Sequence, residues 1–333
     1  MGGKMSLSQS PSDRFCDDLG IQLPIIGGAM YPCSNPELVA AVSEAGGIGI
    51  IQPLSLTYVH GYDFREGLRY IRSLTKKPVG LNLLVEKSSE RYLKRLNEWL
   101  SIALEEDVRF FVTALGNPKP AADRIHDAGG IVYHNTTTLK WAEKALSGGV
   151  DGLICVNDRS GGHAGTESVH QLYETLSGLG KPLIAAGGIA EPRVVKEIID
   201  MGYSGVQMGT RFLSSQECNA HADYKQAILD AGEADIVLTD KLSGVPVSVI
   251  NTPFMQKMGA KAGPLARLLL RGSRTKRYMR MYYTLRSFRT LKSDKDRAGD
   301  YQHYLQAGKS VGQIDQVLPV AEIMASFRAT LSS

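Results

Sequence analysis

Between residues 23 and 210 the chain repeats one alternation eight times: a short apolar run, then a stretch with helical spacing. The runs are LPIIGG (23–28), GIGII (47–51), PVGLNLLV (78–85), VRFFVTAL (108–115), GIVYHN (130–135), DGLICV (151–156), KPLIAAGG (181–188) and GVQMGT (205–210). They are apolar nearly throughout, which marks parallel strands covered on both faces. Between them lie NPELVAAVSEAGG with Asn35 as its cap, stretches over 64–75 and 88–105, KPAADRIHDAG, TTLKWAEKALSGG, a stretch over 168–179, and EPRVVKEIIDMG with Pro192 in its first turn. Eight such units in about 190 residues predict an α/β fold, a closed (β/α)8 TIM barrel rather than an open doubly wound sheet. No self-similar motif accompanies the period, so this is not a tandem-repeat array.

The remaining chain divides around that barrel. The polar start, residues 1–15, reads as a disordered tail, and 16–215 holds the barrel. Residues 216–308 open on the helical NAHADYKQAILDA and then lose the alternation. They are expected to form a helical, basic addition over the barrel mouth, acting as a lid or substrate subdomain. The tail 309–333, with VGQIDQVLPVAEIM, is expected to pack back on the barrel.

Composition bounds the function classes. With 43% apolar and 22% charged residues the chain has the makeup of a soluble protein with a full core. A net charge of +4 does not call for nucleic acid. Cys16, Cys33, Cys155 and Cys218 lie far apart with no CxxC pair. That speaks against a metal site or a disulfide framework and for a reducing, cytoplasmic setting. No apolar run approaches the roughly 18–20 residues of a membrane span.

In a barrel of this kind chemistry sits at the C-terminal ends of the strands. Those ends read GGAM (27–30), Asn82, TALGNP (113–118), HNTTT (134–138), NDRSGGH (157–163), AAGGIA (185–190) and QMGTRF (207–212). The seventh and eighth present several backbone N–H groups free of side-chain obstruction, the second just before a turn toward a helix. Such a pair suits a phosphate, or merely permits tight turns. No GxGxxG follows the first strand and no GxxxxGK[ST] occurs, so a Rossmann site and a P-loop are unsupported. A phosphate here would belong to a flavin mononucleotide or a sugar phosphate. In SGGH, His163 is either a surface residue on a glycine turn or a proton carrier beside a ligand that the glycines let approach.

PIIGGAM, AVSEAGGIGII, VGLNLLV, VTALGNP, SGGHAG, LIAAGGIA and GVQMGTRFLSSQECNAHADYK, in this order, resemble the nitronate monooxygenases and their FMN-dependent enoyl-acyl-carrier-protein reductase relatives. The resemblance covers about residues 20–230. It implies a barrel holding FMN non-covalently, with the backbone at Gly28, Ala29 and Met30 lining the isoalloxazine and Asn82 bonding its pyrimidine edge. By position Gly187, Gly188, Gly209 and Thr210 would hold the phosphate, with Gln207 close by. Gly162 would let the ring approach, and His163 would face the flavin as the catalytic histidine. It implies oxidation of alkyl nitronates with O2. The alternative is NAD(P)H-dependent reduction of enoyl thioesters or quinones, and a third reading is a non-catalytic flavin-binding barrel.

The chain departs from the family pattern in two places. Before the histidine it reads NDRSGGH, with Asn157 and Arg159 where many relatives have glycine and an acid. Arg159 would attract an anionic substrate or stand as a solvated charge. At the fourth strand Ala114 stands where one branch of the family carries a basic histidine, which leaves oxidation of an already anionic nitronate as the route that needs no base. His134 and Tyr31 are further candidates at the mouth, His134 as a spare proton donor or a structural residue. Tyr133, Tyr278, Tyr282 and Tyr283 either wall the site or pack. From Arg267 to Arg297 there are eleven Lys or Arg against two acids. Most such runs are solvated helix faces, and the alternative at 265–297 is a dock for an acidic carrier protein or for coenzyme A phosphates. An oligomer stays open, and no metal site is expected.

Overall fold

Ser10 caps the first helix. Its hydroxyl accepts from the N–H of Asp13 at 3.1 Å, Pro11 sets the first turn, and Gly20 closes the helix in the left-handed region. This helix, α1 (Pro11–Leu19), places Phe15 and Leu19 one turn apart on its buried face. The computed structural model describes residues 9–86, 90–240, 245–259 and 304–333. Residues 11–15, expected in a disordered tail, therefore belong to a capped helix.

The eight strands close into one parallel barrel in sequence order, with the eighth paired back onto the first. They are β1 (Ile25–Gly27), β2 (Ile48–Ile51), β3 (Val79–Leu84), β4 (Phe110–Ala114), β5 (Ile131–Thr136), β6 (Gly152–Val156), β7 (Leu183–Ala186) and β8 (Gly205–Met208). The helices between them are α2 (Pro36–Glu44), α3 (Phe64–Leu74), α4 (Glu90–Glu105), α5 (Lys119–Asp127), α6 (Leu139–Ser147), α7 (Val169–Leu176) and α8 (Pro192–Met201). Each strand is short, so its ends are set by neighbouring turns, and the apolar runs extend beyond it by one or two residues.

Side-chain alternation sorts each strand into two faces. Ile26, Ile48, Ile50, Phe110, Val112, Tyr133, Ile154, Val156, Ile184 and Ala186 fill the barrel interior. Ile25, Leu81, Leu83, Phe111, Val132, Leu153, Cys155, Ala185 and Val206 face the helices. Phe15 seals the lower end, its ring 5.8 Å from that of Tyr133, which meets Phe110 edge-on at 5.3 Å. Tyr133 thus packs in the lower interior and does not wall the mouth.

Past β8 come the short α9 (Thr210–Leu213) and α10 (Ala222–Asp230). The expectation of a helical addition over 216–308 fails in part here. β9 (Ile236–Thr239) and β10 (Val247–Ile250) form a separate antiparallel two-stranded sheet, followed by α11 (Pro253–Met258). Three of the four residues in each strand are β-branched, and Val247 and Val249 bury against Met255. The β10 edge away from β9 bridges to Gly162 and to Gln306. The basic segment 265–297, with Tyr278, Tyr282 and Tyr283, lies outside the described residues. At the C-terminus α12 (Val320–Leu331) buries Val320, Ile323, Met324 and Phe327 and packs on α2 and α8. No helix among the described residues is long and apolar enough to cross a membrane.

Candidate active site

The interior phase of the strands decides what looks out of the barrel mouth. Continuing it upward gives Gly28, Gln52, Asn82, Ala114, Asn135, Ala186 and Gln207. Gln52 and Asn82 are each 6% exposed. Asn135 carries a buried side-chain oxygen with no hydrogen-bond partner among the described residues. Four neutral carboxamides therefore lie at these inward positions, and β6, with Ile154 and Val156 inside, continues in the same phase to Asp158, whose Oδ1 is buried with no hydrogen-bond partner among the described residues. An amide offers one acceptor and two donors, so this ring matches a ligand edge that alternates donors and acceptors.

At the β1–β8 seam the Gly28 N–H donates to the Met208 carbonyl at 2.9 Å, and the Gln207 side chain lies against Gly28. Ala29 packs on the interior cluster. Met30 is fixed by its N–H donating to Ser34 Oγ at 2.7 Å, and its sulfur lies beside Gly209. Tyr31 follows half-buried, and burial raises its phenol pKa.

The β7 and β8 ends form the second part of the site. A Cβ on Gly187 would stand 2.2 Å from Asn157 Oδ1, and its φ is +119°. Asn157 is buried, donates to the Gly187 carbonyl at 3.0 Å and accepts from the Arg159 N–H at 2.9 Å. Among the described residues no acceptor takes the N–H groups of Gly187, Gly188, Gly209 or Thr210. Four such donors at one corner form a cradle for an anion. Thr210 Oγ1 accepts from the Gly308 N–H at 3.0 Å, which draws the C-terminal segment over this corner. Gln313 completes the closure, donating to the Gly188 carbonyl at 3.0 Å and accepting from the N–H groups of Ala190 and Glu191.

His163 sits exposed on the loop after β6. The Gly162 carbonyl beside it accepts from the Ser248 N–H at 2.8 Å, so β10 holds the histidine loop from above. Arg159 lies on the Gly188 turn and pairs with Glu233. His134 is different. Its neighbours across the sheet, Thr113 and Leu153, belong to the outer face, so the ring lies in the helix layer and not in the mouth. Its Nδ1 is 2.8 Å from Thr113 Oγ1, and burial lowers its pKa to about 4. A proton-donor role at the mouth does not fit that position.

Gln52, Asn135, Gln313 and Glu233 were not singled out in the sequence. The first two follow from counting alternate positions once the interior phase is known. Gln313 reaches its partners across more than a hundred residues of chain, with no local signal.

Comparison with known proteins decides the lineage. The sequence profile described as nitronate monooxygenase matches residues 12–329. The chain belongs to the nitronate monooxygenase family. It is accordingly an oxidoreductase. It is 29% identical over 241 residues to the (3aS,4S,5R,7aS)-5-hydroxy-7a-methyl-1-oxo-octahydro-1H-indene-4-carboxyl-CoA dehydrogenase of Rhodococcus jostii, covering 72% of this chain and 66% of that one. A probable nitronate monooxygenase of Staphylococcus aureus is 28% identical over 297 residues, covering 76% and 82%. The structure of FabK from Thermotoga maritima superposes with a TM-score of 0.76 at 29% identity, covering 96% of this chain and 97% of that one.

Proposed function

We propose that this protein is an FMN-dependent oxidoreductase that oxidises alkyl nitronates with dioxygen. The observation that carries the reading is one mouth joining four open N–H donors at the β7–β8 corner to a ring of neutral amides. Gly187, Gly188, Gly209 and Thr210 would hold the phosphate. Gly28, Ala29 and Met30 would line one side of the ring system, with Asn82, Asn135, Gln52 and Gln207 on its polar edge. When bound, FMN supplies a two-electron acceptor that dioxygen reoxidises. The inward positions of β2, β3, β5 and β8 carry neutral amides, so an anionic substrate meets donors there. Ala114 offers no base at the fourth strand, which suits a substrate that arrives deprotonated. His163 holds or moves a proton at its imidazole beside the reacting carbon.

His163→Ala is expected to leave FMN bound while lowering turnover with propionate nitronate by about 10²-fold or more. Unchanged turnover would remove His163 from the catalytic role. A second reading, NAD(P)H-dependent reduction of an enoyl thioester, is favoured by the likeness to FabK and to a carboxyl-CoA dehydrogenase together with Ala114. A small-molecule substrate, a cytoplasmic setting and an acidic carrier protein as alternative partner belong to the same proposal.

A further inference from the structure

The Arg159 backbone is held from both sides. Its N–H donates to Asn157 Oδ1 at 2.9 Å and its carbonyl accepts from the Lys309 N–H at 2.9 Å. With the backbone fixed, the side chain runs flat across the Gly187–Gly188 turn. A Cβ on Gly188 would stand 2.6 Å from Arg159 Nε and 3.0 Å from its Cδ. The guanidinium therefore lies beside Gly188, one of the four positions with an open N–H donor. Its carboxylate partner is Glu233, which itself packs on Gly312 of the segment closing this corner. The Arg159 and Glu233 side chains are 33% and 47% exposed. An ion pair that wet is weak, so exchanging the carboxylate for a doubly charged phosphate is energetically open.

We propose that Arg159 is a phosphate ligand in this chain: its guanidinium, lying across Gly188 and steered by Glu233, pairs with the phosphate monoester of the bound flavin. The inference rests on the flavin reading above. It assigns Arg159 to the cofactor rather than to a substrate anion, because Gly188 belongs to the phosphate turn and the amide ring does not. Glu233 has two roles in this arrangement. It orients the guanidinium when the corner holds no anion, and it competes with the phosphate when one arrives.

The test is equilibrium titration of flavin-stripped wild type, Arg159→Gln, Arg159→Lys and Glu233→Gln with FMN and with riboflavin, followed by flavin fluorescence. Riboflavin lacks the phosphate and reports everything else in the site. Wild type is expected to prefer FMN. Arg159→Gln should lose about ten- to a hundredfold in FMN affinity, the worth of a charge-assisted hydrogen bond, with riboflavin binding unchanged. Arg159→Lys should keep part of the preference, and Glu233→Gln should bind FMN at least as tightly as wild type. An unchanged FMN-to-riboflavin ratio in Arg159→Gln would overturn the proposal. So would Arg159→Gln and Glu233→Gln weakening both flavins alike, since that marks a clasp joining the loop to the tail. Wild type binding neither flavin would instead overturn the flavin reading itself, and the Arg159 assignment with it.

Discussion

Gly187 joins backbone geometry to chemistry at a single position. With φ at +119° and a Cβ position 2.2 Å from Asn157 Oδ1, no L side chain fits without moving a buried amide. Gly187→Ala is expected to lower stability by about 1–3 kcal/mol, read as a shifted urea midpoint, and to release FMN on gel filtration. His134 tests the opposite kind of residue, a histidine that looks catalytic in sequence. Thr113 Oγ1 lies 3.1 Å from the Tyr133 carbonyl and 2.8 Å from His134 Nδ1, so the ring is held by a hydrogen bond inside the buried layer. Its folded pKa of about 4 lies below the ordinary 6.5. Between those values the unfolded chain binds a proton that the native ring refuses. Stability is therefore full above the upper value and falls as pH drops through the window, by up to about 3 kcal/mol. His134→Gln should flatten the dependence of the urea midpoint on pH across that window, and an unchanged slope would contradict the burial argument. His163 stands out in sequence by its glycine setting and family likeness, and its role is the one the His163→Ala assay tests. His134 and Asn135 were not separable, because strands apolar on both faces hide which residue points inward.

At the scale of elements, the β9–β10 hairpin is what sequence reading missed. IVLT and VSVI are four-residue β-branched runs, too short to stand out against the helical spacing around them. Their pairing is fixed by contacts far away in sequence, with Gly162 and Gln306. The hairpin matters because the Ser248 N–H is one of the bonds that hold the loop carrying His163. Ser248→Pro removes that donor without replacing a residue of the amide ring or of the phosphate corner. Steady-state assays with propionate nitronate are expected to show kcat lowered about ten- to a hundredfold, the scale of a catalytic group misplaced by about 1 Å. FMN affinity should stay at the wild-type value. Equal loss of both would mean the hairpin supports the whole site rather than one loop. The βα elements themselves were legible because each strand and helix announces its own period, and Asn35 does stand at the N-cap position of α2, although its side chain donates to Glu37 and the Glu217 carbonyl instead of capping.

The molecule as a whole is a barrel sealed below by α1 and closed above by segments from the far end of the chain. Strand count and order were readable because they are sums over many local signals. The closure was not, since Gly308 on Thr210 and Gln313 on Gly188 are single polar contacts between distant residues. The anion cradle, the amide ring and the His163 loop all lie at one mouth, as the proposed flavin site requires. The most direct test is anaerobic reduction of the FMN-loaded protein, followed at the flavin absorbance band, with propionate nitronate, NADH and NADPH supplied separately. Bleaching by the nitronate alone is the predicted result. Bleaching only by a nicotinamide would contradict it and assign the protein to the thioester or quinone reductases.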